Sequence, residues 1–287
     1  MDITSLGGER AAPFEPTFAS AAESYLKHGG EERYLAPIVA YFGDRPLKTI
    51  YPFDIKAMAE ALYPSQSNAT RNRQAVTPAR AVLMHGYDRG WCNFIRVRRF
   101  KEEKPKRRKP ATAVWLHAFS RQCDKDGLEH LAAIVLFMAS TGARISEAIA
   151  LRWDEVDLTA RTALLLKTKT STNSMRYLTD EVARRLRGLK EGNSSTDRVF
   201  RYSNRHSVNE RIRAVCDRAD IPYKPPHTCG RHTFASTAIE LGMDVKTTMI
   251  AGDWRSSSVF LETYVTPRGT PGRVVADRMN VHDFGDI

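Results

Sequence analysis

The chain has 287 residues and a formal net charge of +11, so it is long enough for two domains with substantial cores and favours a polyanionic partner. No apolar run reaches the roughly 18 residues of a membrane helix, and the N-terminus lacks a signal-peptide core, so we expect a cytosolic protein without a membrane partner. The four cysteines show no Cys-x-x-Cys spacing, which argues against a zinc or redox motif and favours reduced, buried thiols.

The N-terminal third has a helical pattern after an irregular lead-in. Residues 1–16 contain two glycines and two prolines, which disfavour a regular element. Over 17–104, candidate N-caps of successive helices are Thr17 and Asp54, and the stretch Ser67–Thr70 opens a longer helix. In the last of these helices, apolar residues recur at intervals of three and four and predict a core-facing stripe formed by Val76, Ala79, Leu83 and Tyr87. A small helical bundle is expected.

Positive charge is concentrated between Arg71 and Lys109, where thirteen Lys and Arg residues accompany three acidic residues. A solvated surface is the plainer interpretation, but we expect phosphate contacts from Arg71, Arg73, Arg80, Lys106, Arg107, Arg108 and Lys109. The segment Lys101–Pro110 has two prolines and no apolar residue, so it cannot pack a core. We therefore predict a basic linker at 105–112 and a second domain at 113–287.

The second domain begins with a helix rich in apolar residues that stops near Gly142. A further helix begins at Ile145, so Arg144 falls in the junction, where a loop can present it. The structural alternative for Arg144 is support of the core.

Three short β-like runs follow at Val156–Leu158, Thr162–Leu166 and Met175–Leu178. Lys169 lies in the second turn, and Lys167 is the alternative for any role assigned to it. Exposed turn lysines commonly have no function, so the position alone is a weak signal. With the helices, the runs predict a mainly α fold with a small three-stranded antiparallel sheet.

Further helices are predicted after the candidate caps Asp180, Ser207 and Asp244. Two prolines precede His227 at the start of another helix, and His227 and Arg231, four apart, would share one face of it. An arginine there adds charge to the positive end of the helix dipole, which is costly unless an anion binds. His232 is expected to face elsewhere. The spacing of His227, Cys229 and His232 fits no common zinc motif.

The residue types of the second domain suit transfer of a phosphodiester without a metal or other cofactor. Arg144 and Arg231 can hold the non-bridging oxygens as negative charge grows. Tyr264 is the candidate nucleophile, and because a phenol of pKa about 10 is less than about 1% ionised at neutral pH, it needs His227 as a proton acceptor. Lys169 is the candidate acid that protonates the departing 5′-oxygen.

Three segments together resemble the tyrosine recombinase (phage integrase) family. The first box, T-G-A-R-I-S-E-A-I-A-L-R-W-D-E-V-D-L at 141–158, and the second box, H-T-C-G-R-H-T-F-A-S at 227–236, are similar to the family's arginine boxes. The family's second box is a His-x-x-Arg that opens a helix. The third box, A-G-D-W-R-S-S-S-V-F-L-E-T-Y at 251–264, resembles the one that ends in the nucleophile. Their order, with a lysine-bearing hairpin between the first two, makes the signal specific.

The resemblance, over roughly residues 17–266, implies a DNA strand-exchange enzyme. Its helical core-binding domain, with a SAM-like fold at 17–104, would form one jaw of a clamp around duplex DNA, and its catalytic domain would occupy 113–287. The implied activity is site-specific recombination of double-stranded attachment sites through a covalent 3′-phosphotyrosine, by a tetramer on DNA at the nucleoid. An accessory directionality factor is a further candidate partner. The implied catalytic residues are Arg144, Lys169, His227, Arg231, Trp254 and Tyr264. Glu147 resembles the first-box acid and is expected to orient Arg144 or His227, unless it is a plain surface residue.

The third box departs from the family pattern at one place. Members usually have a His or a Trp nine residues before the tyrosine, whereas here Trp254 lies ten before Tyr264 and Arg255 lies nine before. An extra residue in the turn is the simplest explanation, and Arg255 is the alternative occupant. An indole N–H can hold a phosphate oxygen, but it cannot transfer a proton.

Alternative functions are a DNA-binding protein of this fold without strand exchange, and a type IB topoisomerase or telomere resolvase. A first helix near residue 17 leaves no room for an added arm-site domain, so we expect recognition of core sites alone. In the tail, Val274, Val275 and Met279 predict a short apolar face. We expect it to dock on a neighbouring protomer, and docking on its own chain is the alternative.

Overall fold

The computed structural model of the chain describes residues 15–103, 108–166, 173–265 and 269–281. The chain divides into two compact units, Met1–Lys106 and Arg107–Ile287. The division falls inside the stretch 105–112 that the sequence predicted as a linker. Most of the lead-in predicted at 1–16 lies outside the described residues.

The first unit is helical. Its helices are α1 Phe18–Lys27, α2 Leu35–Phe42, α3 Pro52–Leu62, α4 Asn68–Arg71 and α5 Thr77–Asp88, with a π turn at Asn72–Val76 that joins the last two. Thr17 caps α1 as expected, and Ser67 caps α4. Apolar side chains of all the longer helices meet in one core, which includes Phe18, Ile38, Ile55, Met58, Val76 and Val82.

Two details of the first unit differ from expectation. Asp54 is not the cap of α3, because the helix begins at Pro52, a favoured first helical residue. Its carboxylate instead accepts from the Tyr51 N–H at 2.8 Å. Tyr87 is 46% exposed, so the apolar stripe of α5 ends at Leu83.

The basic segment that leaves the first unit is fastened to it through Asn72, which is buried. The amide Nδ2 donates to Phe100 O at 2.9 Å and to Glu102 Oε1 at 2.8 Å, and Oδ1 accepts from Phe100 N at 2.8 Å. Residues 100–102 are thus part of the first unit, although they contain no apolar residue beyond Phe100.

The second unit combines helices with a small sheet. Its elements are α6 Ala113–Lys125, α7 Glu129–Thr141, α8 Ile145–Ala150, β1 Val156–Asp157, β2 Thr162–Leu165, β3 Ser174–Tyr177, α9 Asp180–Lys190, α10 Arg205–Arg218, α11 Thr233–Glu240, α12 Val245–Gly252, α13 Ser257–Tyr264 and α14 Pro271–Met279. The sheet order is β1-β2-β3 and both pairs are antiparallel. The predicted fold class, mainly α with a three-stranded antiparallel sheet, is confirmed.

Helix α7 is the centre of the second unit. Leu131, Ile134, Val135, Phe137 and Met138 are all buried, as expected for a helix packed on several sides. The caps of two other helices lie one to three residues before the predicted ones, because Thr179 and Asn204 accept the first-turn N–H bonds. Within the described ranges, no helix is both long and apolar enough to cross a membrane.

Candidate active site

The first arginine stands at a helix junction, as the sequence predicted. Helix α7 ends at Gly142, whose φ of +69° suits glycine, and a Cβ there would lie 2.8 Å from the Phe234 ring. Arg144 then forms the N-cap position of α8. Its backbone N–H and its guanidinium both bind Glu147, with N to Oε2 at 2.8 Å and Nη1 to Oε1 at 2.6 Å. Glu147 therefore orients Arg144, and the guanidinium remains exposed.

The second arginine is buried beneath this junction. Arg231 is only 4% exposed. Its Nη1 donates to Gly142 O at 2.5 Å and to Gly252 O at 2.7 Å, and Nη2 donates to Asp253 O at 3.1 Å. These carbonyls belong to the C-terminal ends of α7 and α12, where the helix dipoles are negative. Burial, with the charge of Arg144, lowers the pKa of Arg231 to about 10, so it stays cationic at neutral pH.

His227 directly precedes a π turn at Thr228–His232, which contains Arg231. This chain has three residues between them, whereas the family's box has two, and a π turn accommodates an extra residue inside a helix. His232 lies close enough to His227 for the charge of His227 to contribute to lowering the pKa of His232. The expectation that His232 faces elsewhere was therefore wrong. Its ring lies edge-on to Tyr264, 5.1 Å between centroids, and burial lowers its pKa to about 4.

The third box contains a second local distortion. Asp253 has a φ of +57°, and a Cβ at Gly252 would lie 1.8 Å from Trp254 Cζ3, so only glycine fits there. The turn packs Trp254 over the Arg231 guanidinium, 3.6 Å from Cζ to the ring centroid, a geometry worth about 2 kcal/mol when desolvated. Arg255, the alternative occupant, lies exposed.

Tyr264 ends α13 inside this cluster and is 7% exposed. Its ring packs edge-on against Trp254 at 5.3 Å between centroids. Its hydroxyl lies 3.5 Å from His227 Nε2, which is long for a hydrogen bond. His227 keeps an exposed surface, yet partial desolvation, followed by the charges of Arg231, Arg108 and Arg144, lowers its pKa. The His227 imidazole beside the Tyr264 phenol is therefore neutral at neutral pH.

The family model that describes the phage integrase family matches residues 113–269. The chain belongs to the phage integrase family. That match contains all three boxes and the sheet between them.

Solved structures of integrases have the same fold. The Tn1549 transposon integrase in complex with circular intermediate DNA has a TM-score of 0.70 and 15% identity, and the match covers 91% of this chain and 99% of that one. A lambda integrase dimer bound to a COC′ core site has a TM-score of 0.67, 15% identity, and coverage of 89% and 79%. XerA recombinase has a TM-score of 0.52 and 17% identity, and the match covers 92% of this chain and 98% of that one. No curated protein matches significantly.

In this family member, Lys169 and Lys167 lie outside the described residues. Strand β2 ends before them at Leu165, and β3 begins after them at Ser174. Across the described ranges, no group of three or more His, Cys, Asp or Glu residues could hold a metal ion. The four thiols are free, as expected, and all except Cys92 are buried.

The Lys and Arg residues of the basic stretch differ in how accessible they are. Lys106 and Arg107 lie outside the described residues, whereas Arg73, Arg80, Arg108 and Lys109 are exposed. Arg71 instead binds its own domain, with Nε donating to Tyr63 O at 3.0 Å and Nη2 to Pro64 O at 2.6 Å. That arginine closes the end of α3, so it is a weaker phosphate candidate than its exposed neighbours.

The end of the predicted linker is tied to the π turn. Ala111 N donates to Thr233 Oγ1 at 2.9 Å, and that hydroxyl donates to Thr228 O at 2.9 Å. Lys224 Nζ also donates to Lys109 O at 3.0 Å. The charge of Arg108 is therefore held close enough to His227 to affect its pKa.

Proposed function

We propose that the protein is a site-specific DNA recombinase that cuts and rejoins duplex DNA through a covalent 3′-phosphotyrosine. The observation that carries the proposal is the 3.5 Å approach of the Tyr264 hydroxyl to His227 Nε2, beside the guanidinium of Arg231. A phenol, a neutral base and fixed cations are what a phosphodiester transfer requires. The solved complexes of related fold that contain DNA support the same substrate class.

The proposed reaction begins when the Tyr264 oxygen attacks the scissile phosphorus and His227 takes the phenol proton. Arg144, Arg231 and the indole N–H of Trp254 stabilise the charge that develops on the non-bridging oxygens. The bond from phosphorus to the 5′-oxygen breaks, and Lys169, or Lys167 in its place, protonates that oxygen. The products are a 3′-phosphotyrosine and a 5′-hydroxyl.

The phosphotyrosine retains the energy of the broken phosphodiester. The 5′-hydroxyl of a partner strand reverses the attack, so rejoining requires no ATP. We propose that this exchange takes place in a tetramer on two attachment sites, in the cytoplasm at the nucleoid. An accessory directionality factor would bias integration against excision.

A nicked suicide substrate tests the proposed function. Duplexes made from the genomic flanks of the coding region would be incubated with the protein in EDTA and resolved on a denaturing gel. We expect a covalent adduct at the 3′ end of one discrete site. Binding without any adduct would indicate a DNA-binding protein only, and relaxation of supercoiled plasmids without site preference would indicate a topoisomerase.

The acid limit of cleavage is expected to lie below pH 6.5. His227 accepts the phenol proton only when it is neutral, and its pKa lies below the usual 6.5. The rate should therefore persist at pH 6.5 and fall as the pH drops through the lowered pKa. Single-turnover cleavage rates of preformed protein–DNA complexes, recorded against pH, measure this acid limb of the profile.

Arg108→Gln should move the acid limb to higher pH, because it removes one of the charges that disfavour protonated His227. Lys125→Gln, at the exposed end of α6, is the control and should leave the limb in place. If the acid limb of the cleavage rate stays at the same pH in Arg108→Gln, a group other than His227 determines it.

The basic stretch should bind phosphates without reading sequence. Neutralising Lys106, Arg107, Arg108 and Lys109 together is expected to weaken binding to every DNA. The dependence of log K on log salt should become shallower by up to about 0.9 for each phosphate that the variant no longer neutralises.

The matched control neutralises four cations that the protein already pairs with carboxylates: Lys27, Lys48, Arg184 and Arg218. It makes the same change in net charge and should alter the salt slope far less. Equal slopes for the two quadruple variants would mean that total charge, and not this segment, governs binding.

A further inference from the structure

We propose that Arg176 is a positioning residue of the active site, a role that rests on the proposed function. It is a charged residue on the inward face of β3, paired with the buried Ala163 of β2. Only 2% of it is exposed, whereas its neighbours Met175 and Tyr177 point outward. An apolar side chain is the ordinary occupant of such a position.

Arg176 holds the turn that presents Trp254. Its Nη1 donates to Ala251 O. The next two carbonyls along the chain, of Gly252 and Asp253, accept from Arg231. Three successive carbonyls at the C-terminal end of α12 are therefore bound by two buried guanidinium groups, which enter from β3 and from the π turn. The start of the third-box turn, where α12 ends, is fixed in this way.

Arg176 also acts on the first arginine. The carboxylates of Glu147 and Asp253 lie within 4 Å of the Arg144 guanidinium. Both carboxylates also attract Arg176, although burial lowers its pKa. Arg176 is thus one buried cation that attracts both acids beside Arg144 and also binds the start of the turn that carries Trp254. It is too deeply buried to contact DNA, so its effect passes through these neighbours.

Stability alone does not account for a guanidinium at this position. Nε and Nη2 of Arg176 have no hydrogen-bond partner in the part of the chain that the structure describes. Burying an incompletely paired cation is costly, and an apolar side chain of similar volume is often neutral or stabilising in such a place. Arg176→Met should therefore keep or raise the melting temperature and yet impair the geometry of the site.

The experiment compares wild type, Arg176→Met and Arg176→Lys. For the Met variant we expect single-turnover cleavage at saturating DNA to fall by about 10- to 100-fold, as misplacements near 1 Å do. Its DNA affinity should stay within about twofold of wild type, because Arg176 binds no phosphate. The Lys variant should be intermediate, because its ammonium can bind Ala251 O but cannot reproduce the planar guanidinium.

A second measurement does not depend on activity. The protein contains four tryptophans, so 5-fluorotryptophan labelling gives four ¹⁹F resonances, and that of Trp254 is assigned with Trp254→Phe. In the DNA-free Met variant the Trp254 resonance should shift, whereas those of Trp91 and Trp115 should not. A wild-type protein that forms no adduct would contradict the proposed function but would leave this result intact.

Arg185→Met is the matched control. Arg185 pairs with Asp124 and Glu181 on another face of the second unit, so its replacement should lower the melting temperature and leave cleavage unchanged. Wild-type cleavage in either Arg176 variant, or an unshifted Trp254 resonance in the Met variant, overturns the proposal. A Met variant that fails to fold overturns it as well, because Arg176 would then be required by the core itself.

Discussion

Tyr264→Phe is expected to abolish the covalent protein–DNA adduct while DNA binding survives. The substitution removes only the hydroxyl, and the remaining ring can still pack against Trp254, His232 and Phe260. Removal of a nucleophile commonly costs catalysis about 10⁴-fold or more. Denaturing gels with the nicked suicide substrate measure the adduct, and gel shifts measure binding.

Tyr223→Phe is the matched control for this variant. It also loses a hydroxyl in the second unit, one that donates to Asn209 Oδ1 at 2.6 Å, but it has no part in the proposed chemistry. The control should form the adduct at the wild-type rate. An undiminished adduct with Tyr264→Phe would mean that another residue attacks the phosphate.

The sequence was sufficient for the architecture, and it named five residues that the fold places close together. Apolar periodicity predicted the buried helix α7, and alternation with turns predicted three strands near their observed positions. Arg144, His227, Arg231, Trp254 and Tyr264 were assigned from three separate segments, and the fold brings them together. Sequence patterns succeed here because the three segments, each weak alone, agree with one another in order and context.

What the sequence did not predict depends on backbone distortion and tertiary contact. An extra residue before Arg231 can be accommodated by a loop, a kink or a π turn, and only the fold decides among them. The π turn in turn decides that His232 faces Tyr264. In Met175–Tyr177, apolar alternation would place the side chain of Met175 towards the core. The pairing of Arg176 with Ala163 places Arg176 towards the core instead. A change of one residue in strand register is enough to exchange the two faces of a strand.

The tail is expected to join protomers. All described residues of α14 are exposed, including the apolar Val274, Val275 and Met279, whereas docking against the described part of its own chain would bury this apolar face. Exposed apolar residues also lie on or beside α11–α13, among them Leu241, Met243, Ile250, Val259 and Leu261. We propose that these surfaces meet between neighbouring protomers in a tetramer on two DNA sites.

Truncation after Thr270 should leave single-site DNA binding close to normal, because the basic stretch and the three boxes remain. Paired-site complexes and recombination should disappear, since in the proposed tetramer this short helix joins the protomers. Sedimentation and gel shifts with one-site and two-site DNA separate the two effects. A full-length variant with Val274, Val275 and Met279 changed to Ser should reproduce this defect, whereas Arg273→Gln with Arg278→Gln should retain synapsis if the docking is apolar. Synaptic tetramers formed by the truncated protein would show that the tail does not couple the subunits.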